Sequence, residues 1–146
     1  MTNNYSKTYD QALKYVAMRS HTAFELRTKL ARKKFDKSDI EEAIGQLIRE
    51  KYLNDRDFAQ MFAQNLIKYK TFGYYGIKNK LKMRGISDAM AEEILSEELD
   101  LETEKKIAQR AIGKKDGVEK EKIAMALQRK GFRSQIVSQY FQNAEE

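Results

Sequence analysis

Apolar residues recur three or four positions apart along most of the chain, which is the spacing of α-helices that bury one face. The first such stripe contains Ala12, Leu13, Val16 and Ala17. Proline is absent, so no proline ring interrupts the backbone hydrogen bonds of a predicted helix. Further stripes of this period begin at Ile40, Phe58, Met90, Ile107 and Ile136. The pattern predicts an all-α protein.

One helix pattern occurs three times. Each copy has apolar residues at positions i, i+4 and i+9, with a basic residue two positions before the last. The copies are offset by 51 and 46 residues, within the range of tandem helical repeats. Their apolar residues are Leu26, Leu30 and Phe35, then Ile77, Leu81 and Ile86, then Ile123, Leu127 and Phe132. The recurrent bases are Lys33, Arg84 and Lys130.

The repeated pattern predicts an elongated array of three tandem three-helix repeats. Such an array presents an extended surface rather than one deep pocket, because each unit buries part of its apolar face against its neighbour. The predicted boundaries are a flexible N-terminus at 1–8, repeats at 9–53, 54–99 and 100–142, and a flexible C-terminus at 143–146.

Polar residues at fixed offsets predict where helices begin. Thr22 with Glu25, and Ser38 with Glu41, have the spacing of capping boxes, in which two side chains satisfy two unpaired backbone N–H groups. Single N-caps are predicted at Asn54 and Ser87.

Glycines predict where two of the repeated helices end. Gly85 and Gly131 are expected to adopt the left-handed conformation that terminates a helix. Lys34 occupies the matching position of the first copy, so that turn must use another geometry or accept strain. Asp116–Gly117 predicts a turn in the third repeat.

The composition argues against an enzyme. Cysteine is absent, which excludes disulfides, thiolate nucleophiles and cysteine metal sites. The single histidine, His21, stands beside a helix start and is more typical of a solvated or capping residue than of a metal ligand or general base. Phosphate loops, nucleophile elbows and two-histidine helix motifs are also absent. We therefore expect no catalytic residue, no metal and no cofactor.

The hydropathy of the chain indicates a soluble protein. No stretch approaches the roughly 20 apolar residues of a membrane span, and the first ten residues lack an apolar signal core. We expect a cytoplasmic location. No long apolar stripe remains once each repeat has a core, so a monomer is expected.

Charge is distributed unevenly. The formal net charge of +6 favours a polyanionic partner. From Lys68 to Arg84 the chain has six bases and no acid, whereas from Asp88 to Glu104 it has eight acids and no base. The middle of the chain is therefore strongly dipolar.

Residues 68–78 interleave basic and aromatic side chains around Gly73 and Gly76. Such a segment could hold phosphates and stack on bases, or its aromatic rings could cover neighbouring helices. Lys78, Lys82 and Arg84 are expected to project away from the apolar stripe of their helix. The recurrent bases have two explanations as well: interaction with the helix dipole, worth about 0.3–1 kcal/mol, or a repeated binding contact.

Three stretches of the chain together carry a resemblance to a known family. The first is Ala12–Tyr15 with Arg19 and the Thr22–Leu30 stretch. The second and most specific is Tyr52–Ala59, followed by Gly73, Ile77, Leu81 and Arg84–Ser87. The third is Lys130–Phe132. With these stretches the chain resembles the RecX family of regulatory proteins, which modulate the RecA recombinase. The resemblance extends from about Tyr9 to Phe141. Lys34 departs from it where glycine is common in the family, and Phe72–Tyr75 departs where bases are frequent.

The resemblance implies a regulator of DNA repair, recombination and the SOS response. Such a protein lies in the groove of a RecA–DNA filament and inhibits ATP hydrolysis and strand exchange, with weak direct DNA binding as an addition. A general helical DNA-binding module is the alternative, since three-helix units with a basic second helix also fit helix-turn-helix modes. The expected contact residues are Arg27, Lys33, Lys68, Lys70, Tyr74, Tyr75, Lys78, Lys82, Arg84, Arg129 and Lys130.

Overall fold

The computed structural model describes residues 3–113 and 119–142 of the chain. Regular secondary structure in these residues is entirely α-helical, which confirms the all-α fold predicted from the apolar period. The helices are α1 Asn3–Met18, α2 Ala23–Arg32, α3 Lys37–Arg49, α4 Asp55–Tyr69, α5 Tyr74–Met83, α6 Asp88–Glu98, α7 Leu101–Ile112, α8 Lys120–Arg129 and α9 Ser134–Gln142. The predicted repeat boundaries stay predictions.

The first helix begins earlier than predicted. Residues 3–8 belong to α1, so the prediction of a flexible N-terminus is wrong for them. Tyr5 is 4% exposed, and both Thr8 and Ala12 are fully buried. These three side chains share one face of α1, and the Thr8 hydroxyl is satisfied by donating to the Asn4 carbonyl at 2.8 Å. The predicted turn at 116–117 and the predicted C-terminal segment at 143–146 lie outside the described residues.

Three of the four predicted helix starts are confirmed. Thr22 and Glu25 form both bonds of a capping box at α2. The Asn54 side chain accepts from the backbone N–H of residue 57 at 3.1 Å, and Ser87 accepts from that of residue 90 at 3.2 Å.

The capping box predicted at Ser38 and Glu41 is wrong. Helix α3 begins two residues earlier than predicted, at Lys37 with Asp36 as its N-cap residue, so Ser38 already lies inside the first turn. Its hydroxyl donates to the Asp36 carboxylate at 2.6 Å instead of capping the helix. The Glu41 carboxylate is occupied by the Arg27 guanidinium, 2.6 Å away.

The chain forms two compact units. Unit 1 contains the residues up to Ala59 together with Arg84–Ile86, and unit 2 contains Gln60–Met83 and the residues from Ser87 onward. In unit 1, α1, α2 and α3 pack around a core that includes Leu26, Leu30, Ile44 and Leu47. In unit 2, α5 packs on α6, and α8 packs on α9, with buried side chains that include Ile77, Leu81, Ile94, Leu95, Ile107, Leu127 and Ile136.

Unit 1 holds the α5–α6 turn (Arg84–Ile86) against the beginning of α2. The Thr22 hydroxyl donates to the Arg84 carbonyl at 2.5 Å, and the Arg84 guanidinium contacts Glu25 at 3.0 Å. Gly85 has a φ of +90°, and a Cβ at this position would overlap the Phe24 side chain. Glycine is therefore required here twice, for its conformation and for the close approach.

Unit 2 contains a similar contact between the α8–α9 turn (Lys130–Phe132) and the beginning of α5. The backbone N–H of Gly73 donates to the Lys130 carbonyl at 3.0 Å, and that of Tyr75 donates to the Gly131 carbonyl at 2.7 Å. Gly131 has a φ of +82°, and a Cβ there would overlap the backbone of Gly76. Both predicted left-handed glycines are confirmed.

The α2–α3 turn (Lys33–Phe35) has the same backbone form without glycine. Lys34 has a φ of +64°, so the first copy keeps the geometry of the other two and accepts a left-handed non-glycine residue. Of the two outcomes left open by the sequence, the strained one is observed.

A buried carboxylate organises unit 2. Glu104 is fully buried on α7 and accepts hydrogen bonds from the backbone N–H groups of Tyr74 and Arg133 at 3.0 and 2.9 Å. The Arg133 guanidinium contacts the same carboxylate at 2.5 Å and stacks over the Tyr74 ring, 4.7 Å from its centre. One side chain thus satisfies the N-terminal ends of both α5 and α9.

Replacing Glu104 with alanine should strongly destabilise the protein. The change leaves Arg133 and two backbone N–H groups without their acceptor, and breaking a buried pair in this way typically costs about 3–5 kcal/mol. Urea unfolding followed by circular dichroism measures the loss. Glu102→Ala, which removes an exposed acid from the same first turn of α7, is the matched control and should change stability by less than about 1 kcal/mol. Equal effects of the two changes would contradict this role of Glu104.

Candidate partner-binding surface

One face of α5 combines an aromatic side chain with basic side chains. Ile77 and Leu81 are fully buried, which turns Tyr75, Lys78 and Lys82 outward on the opposite side of the helix. Tyr75 is 56% exposed. The helix is fixed in this rotation because its buried face is packed and its first N–H groups are bonded to the α8–α9 turn and to Glu104.

The last turn of α8 brings another cation to this face. Arg129 lines a shallow depression of about 380 Å³ together with side chains of α5. Gly76 and Gly131 form its floor where the two backbones approach each other. We call this site the basic depression; it is lined by Tyr75, Gly76, Lys78, Asn79, Lys82, Arg129 and Gly131.

Acids of α6 pair with both lysines of the basic depression. The Lys78 ammonium lies 2.8 Å from Glu92 and 3.9 Å from Asp88, and the Lys82 ammonium lies 3.1 Å from Asp88. The hydrogen bond to Glu92 raises the pKa of Lys78 above its usual value, although loss of solvent opposes this shift. The expectation that these lysines project freely into solvent is therefore incomplete, since the acidic run that follows them folds back onto them.

The other side chains of the basic depression have no such acidic partner in the part of the chain that the structure describes. Arg129 is exposed and has no ion-pair partner among the described residues. Tyr75 also lines a second, more apolar groove of about 460 Å³, so its ring stands between the two depressions. That groove includes Phe132 and Val137. A partner could therefore place an anion beside Arg129 and an apolar group on the other side of Tyr75.

Two of the three recurrent bases hold turns in place. The Arg84 guanidinium binds Glu25, while the Lys130 ammonium donates to the Thr71 hydroxyl at 2.8 Å and lies 5.5 Å from the centre of the Phe72 ring. Both side chains are half-buried in the docked turns. Neither of the two explanations offered by the sequence, the helix dipole or a repeated binding contact, accounts for Arg84 and Lys130, because each of these side chains connects two segments of the fold. Lys33, in contrast, is exposed at the end of α2.

The remaining expected contact residues do not line the basic depression. Arg27 pairs with Glu41 in unit 1, the same relationship that Lys78 and Glu92 show 51 residues later. Lys68 lies 5.1 Å from the centre of the Tyr69 ring, and Lys70 is exposed, with its carbonyl bound by Arg110. Tyr74 is half-buried beneath Arg133. The expected set is thus divided between a surface, local pairs and structural contacts.

Sequence reasoning missed Asn79 and Gly131 as parts of the basic depression, whereas Gly76 already belonged to the candidate segment 68–78. Asn79 lies four residues after Tyr75, a spacing that places both on one helix face and could have indicated it. The role of the glycines depends on the approach of α8 to α5, and no local pattern carries that information.

His21 was expected to be a solvated or capping residue, and the solvated alternative is wrong because the side chain is buried. It is 3% exposed; its Nδ1 donates to the Arg19 carbonyl at 2.9 Å, and its Nε2 accepts from the Lys29 ammonium at 2.7 Å. Burial lowers the pKa of His21, the Arg19 carbonyl opposes this effect, and the charges of Arg19 and Lys29 lower it further. Among the described residues no group of His, Asp and Glu could hold a metal ion.

The stability of the protein should fall as the pH drops below about 6.5. The pKa of His21 is lower in the folded state than in the unfolded chain, so stability is complete above the unfolded value and is lost as the pH falls toward the folded one. The loss should reach at most about 1.4 kcal/mol per pH unit. Urea unfolding at about pH 7.5 and about pH 5.5, compared between wild type and His21→Gln, measures it. Identical pH dependence of the two proteins would contradict the assignment.

No helix within residues 3–113 and 119–142 is both long and apolar enough to cross a bilayer. Repeated helical segments, whose turns pack on the beginnings of earlier helices, define a helical-repeat protein. Comparisons with known proteins identify the family within this class. A family model for the first three-helix domain of RecX matches residues 9–47, and a model for the second matches residues 54–95. The two matches together cover more than half of the chain, and the chain belongs to the RecX family.

Relatives of different lengths support this assignment. The chain is 28% identical over 150 residues to the regulatory protein RecX of Trichlorobacter lovleyi, and the match covers 97% of both chains. It is 33% identical over 145 residues to the RecX of Bacillus pumilus, covering 94% of this chain and 55% of that protein. The chain thus spans about half the length of the second relative. The crystal structure of RecX from Lactobacillus salivarius shares the fold, with a TM-score of 0.86, 24% identity and coverage of 99% of each chain.

Proposed function

We propose that this protein regulates the RecA recombinase by binding RecA filaments on DNA, and that it inhibits their ATP hydrolysis and strand exchange. Through this activity it would act in DNA repair and recombination. The observation that carries the proposal is the match of two RecX family models, for the first and second three-helix domains, to residues 9–47 and 54–95 in the same order along the chain. The regulator has no chemistry of its own in this proposal.

The basic depression is the proposed contact with the filament. A filament offers repeated acidic side chains and phosphates, and Arg129 is placed to bind either of them with its planar guanidinium. Tyr75 adds a rigid ring with an apolar groove beside it. Buried tyrosine and arginine side chains provide much of the energy in many interfaces, so these two residues are the proposed anchors.

Lys78 and Lys82 contribute differently. Their acidic partners on α6 are exposed, and exposed ion pairs are worth only about 0–1 kcal/mol, so a partner anion can displace Asp88 or Glu92 at little cost. Several such modest contacts with successive RecA protomers would act together through effective concentration. Affinity should then depend on filament assembly.

Direct DNA binding is the second candidate function. It is favoured by the basic depression itself, where cations and a tyrosine ring stand together as in proteins that hold a phosphate backbone and stack on bases. A DNA binder loses affinity steeply with salt, because each neutralised phosphate releases counterions. If the protein instead binds the filament, RecA–DNA should retain it far better than DNA alone does.

Retention on filaments and on bare DNA therefore separates the two functions. The protein is mixed with bead-bound DNA, with or without RecA, at about 150 mM salt, where charges further apart than about 8 Å are largely screened. We expect retention on RecA–DNA only. Equal retention on both supports would favour the DNA module, and retention on neither would contradict both proposals.

The double change Tyr75→Ala and Arg129→Ala should weaken filament binding. Loss of two anchors at more than about 1 kcal/mol each corresponds to a decrease in affinity of at least about tenfold. Titration of RecA filaments by ATPase inhibition measures the change. Helical content should stay unchanged, since both side chains are exposed.

The matched control replaces another exposed tyrosine and arginine. Tyr52→Ala with Arg49→Ala alters side chains at the end of α3, where neither belongs to the proposed surface. This control should inhibit RecA like the wild type. If the Tyr75 and Arg129 variant also inhibits RecA like the wild type, the basic depression is not the contact surface.

A further inference from the structure

The lysines of the basic depression already have anionic partners. The Lys78 ammonium contacts Glu92 at 2.8 Å, and the Lys82 ammonium contacts Asp88 at 3.1 Å. Asp88 and Glu92 lie four residues apart on α6, so both carboxylates face α5 from one side of their helix. Arg129, in contrast, has no ion-pair partner in the described part of the chain. Two of the three cations that line this surface are therefore neutralised within the molecule.

The helix dipole does not explain both acids. A carboxylate is stabilised at the start of a helix, but this effect is confined to the first turn. Asp88 is the first residue of α6, whereas Glu92 is the fifth and lies beyond that turn. Like charges four residues apart also destabilise a helix slightly. The position of Glu92 is therefore explained by the lysine that it faces and not by its own helix.

The packing of the helices does not require these acids either. The equivalent pairs α2–α3, α5–α6 and α8–α9 all pack against each other. The positions equivalent to Lys82 and Asp88 are Ala31 and Lys37 in the first copy, and Gln128 and Ser134 in the third. The positions equivalent to Lys78 and Glu92 are Arg27 and Glu41, which also pair, and Ala124 and Ser138. In all three copies an acid occurs at these positions only where the opposite residue is a base.

The two acids are also placed where they contribute little to stability. The side chains of Asp88 and Glu92 are 60% and 56% exposed, and ion pairs at such exposed positions stabilise a fold only weakly. Their main effect is on the charge that the basic depression presents to a partner.

This effect should be larger for a phosphate backbone than for a protein. DNA binding is driven largely by cations that neutralise phosphates and release their counterions. A lysine that is paired with a carboxylate cannot neutralise a phosphate without leaving that carboxylate beside it. A protein can bind Arg129 and fill the apolar groove beside Tyr75 without displacing either acid. The acids therefore act against an anion that offers charge alone.

We propose that Asp88 and Glu92 are specificity-determining residues, which occupy Lys78 and Lys82 and keep the basic depression from binding bare DNA. The inference rests on the proposed function in that it takes the basic depression as the surface that contacts the filament. It adds that this surface has a latent affinity for DNA, which the two acids suppress.

The double change Asp88→Asn and Glu92→Gln tests this inference by freeing both lysines. Fluorescence anisotropy measures the affinity for a labelled DNA duplex, without RecA, between about 50 and about 200 mM salt. Each further phosphate that is neutralised steepens the dependence of log affinity on log salt by about 0.9, so the slope should steepen by about 1.8. Affinity at about 50 mM salt should rise at least about tenfold. The single change Glu92→Gln leaves the first turn of α6 intact and should steepen the slope by about half as much.

A control and a reversal identify the groups responsible. Glu42→Gln with Glu102→Gln makes the same change in net charge at exposed acids of α3 and α7, and it should leave the slope unchanged. Adding Lys78→Ala and Lys82→Ala to the double change removes the freed lysines, and it should return the slope to that of the wild type. Circular dichroism checks that each variant is folded.

Three results would overturn the inference. The first is an unchanged slope in the folded double variant, the second is an equal gain in the charge control, and the third is a gain that survives the loss of both lysines. RecA takes part in none of these measurements. Failure of the wild type to bind RecA–DNA would therefore contradict the proposed function alone.

Discussion

The rest of the structure depends on the contact between the C-terminal turn of one helix and the N-terminal end of another. An isolated helix has N–H groups without partners at its start and carbonyl groups without partners at its end. In unit 2 these satisfy each other, since the first N–H groups of α5 bind the carbonyls of Lys130 and Gly131. The opposite ends of the two helix dipoles also meet there. In unit 1, the Thr22 hydroxyl makes the connection to the Arg84 carbonyl.

This contact explains which parts of the fold the sequence could predict. The apolar period and the two terminating glycines follow from local rules, and the all-α fold and the left-handed glycines are confirmed. The apolar stripes are buried in large part, although Ala17 at the end of the first stripe is exposed. The predictions fail where a side-chain contact that the apolar and capping patterns do not encode determines the environment of a residue. Glu41 has the spacing of a capping residue, but its carboxylate pairs with the Arg27 guanidinium instead. His21 was expected to be a solvated or capping residue, but its ring is bonded to the Lys29 ammonium and to the Arg19 carbonyl.

The candidate site was predictable only in part for the same reason. The sequence identified the bases and tyrosines of residues 68–84, and the structure places some of them together in the basic depression. The sequence alone could not distinguish the bases of this surface from Arg84 and Lys130, which have structural contacts. Arg84 binds Glu25 and Lys130 binds Thr71, and each partner lies 59 residues away in the chain. Each of these two bases connects a turn to a distant segment of its own unit, so Arg84 and Lys130 report the packing of the chain rather than an exposed surface.

The pairing of α5 with α6 changes how the charge of the middle segment can act. A run of lysines followed by a run of acids would give separate positive and negative surfaces if both stayed extended. Instead Lys78 and Lys82 meet Asp88 and Glu92 across neighbouring helices. Long-range attraction is thereby reduced, and a partner must offer an anion in the right place to replace each acid. Arg129 has no ion-pair partner in residues 3–113 and 119–142, so under the proposed function selectivity should come from the lysine pairs and affinity from this arginine.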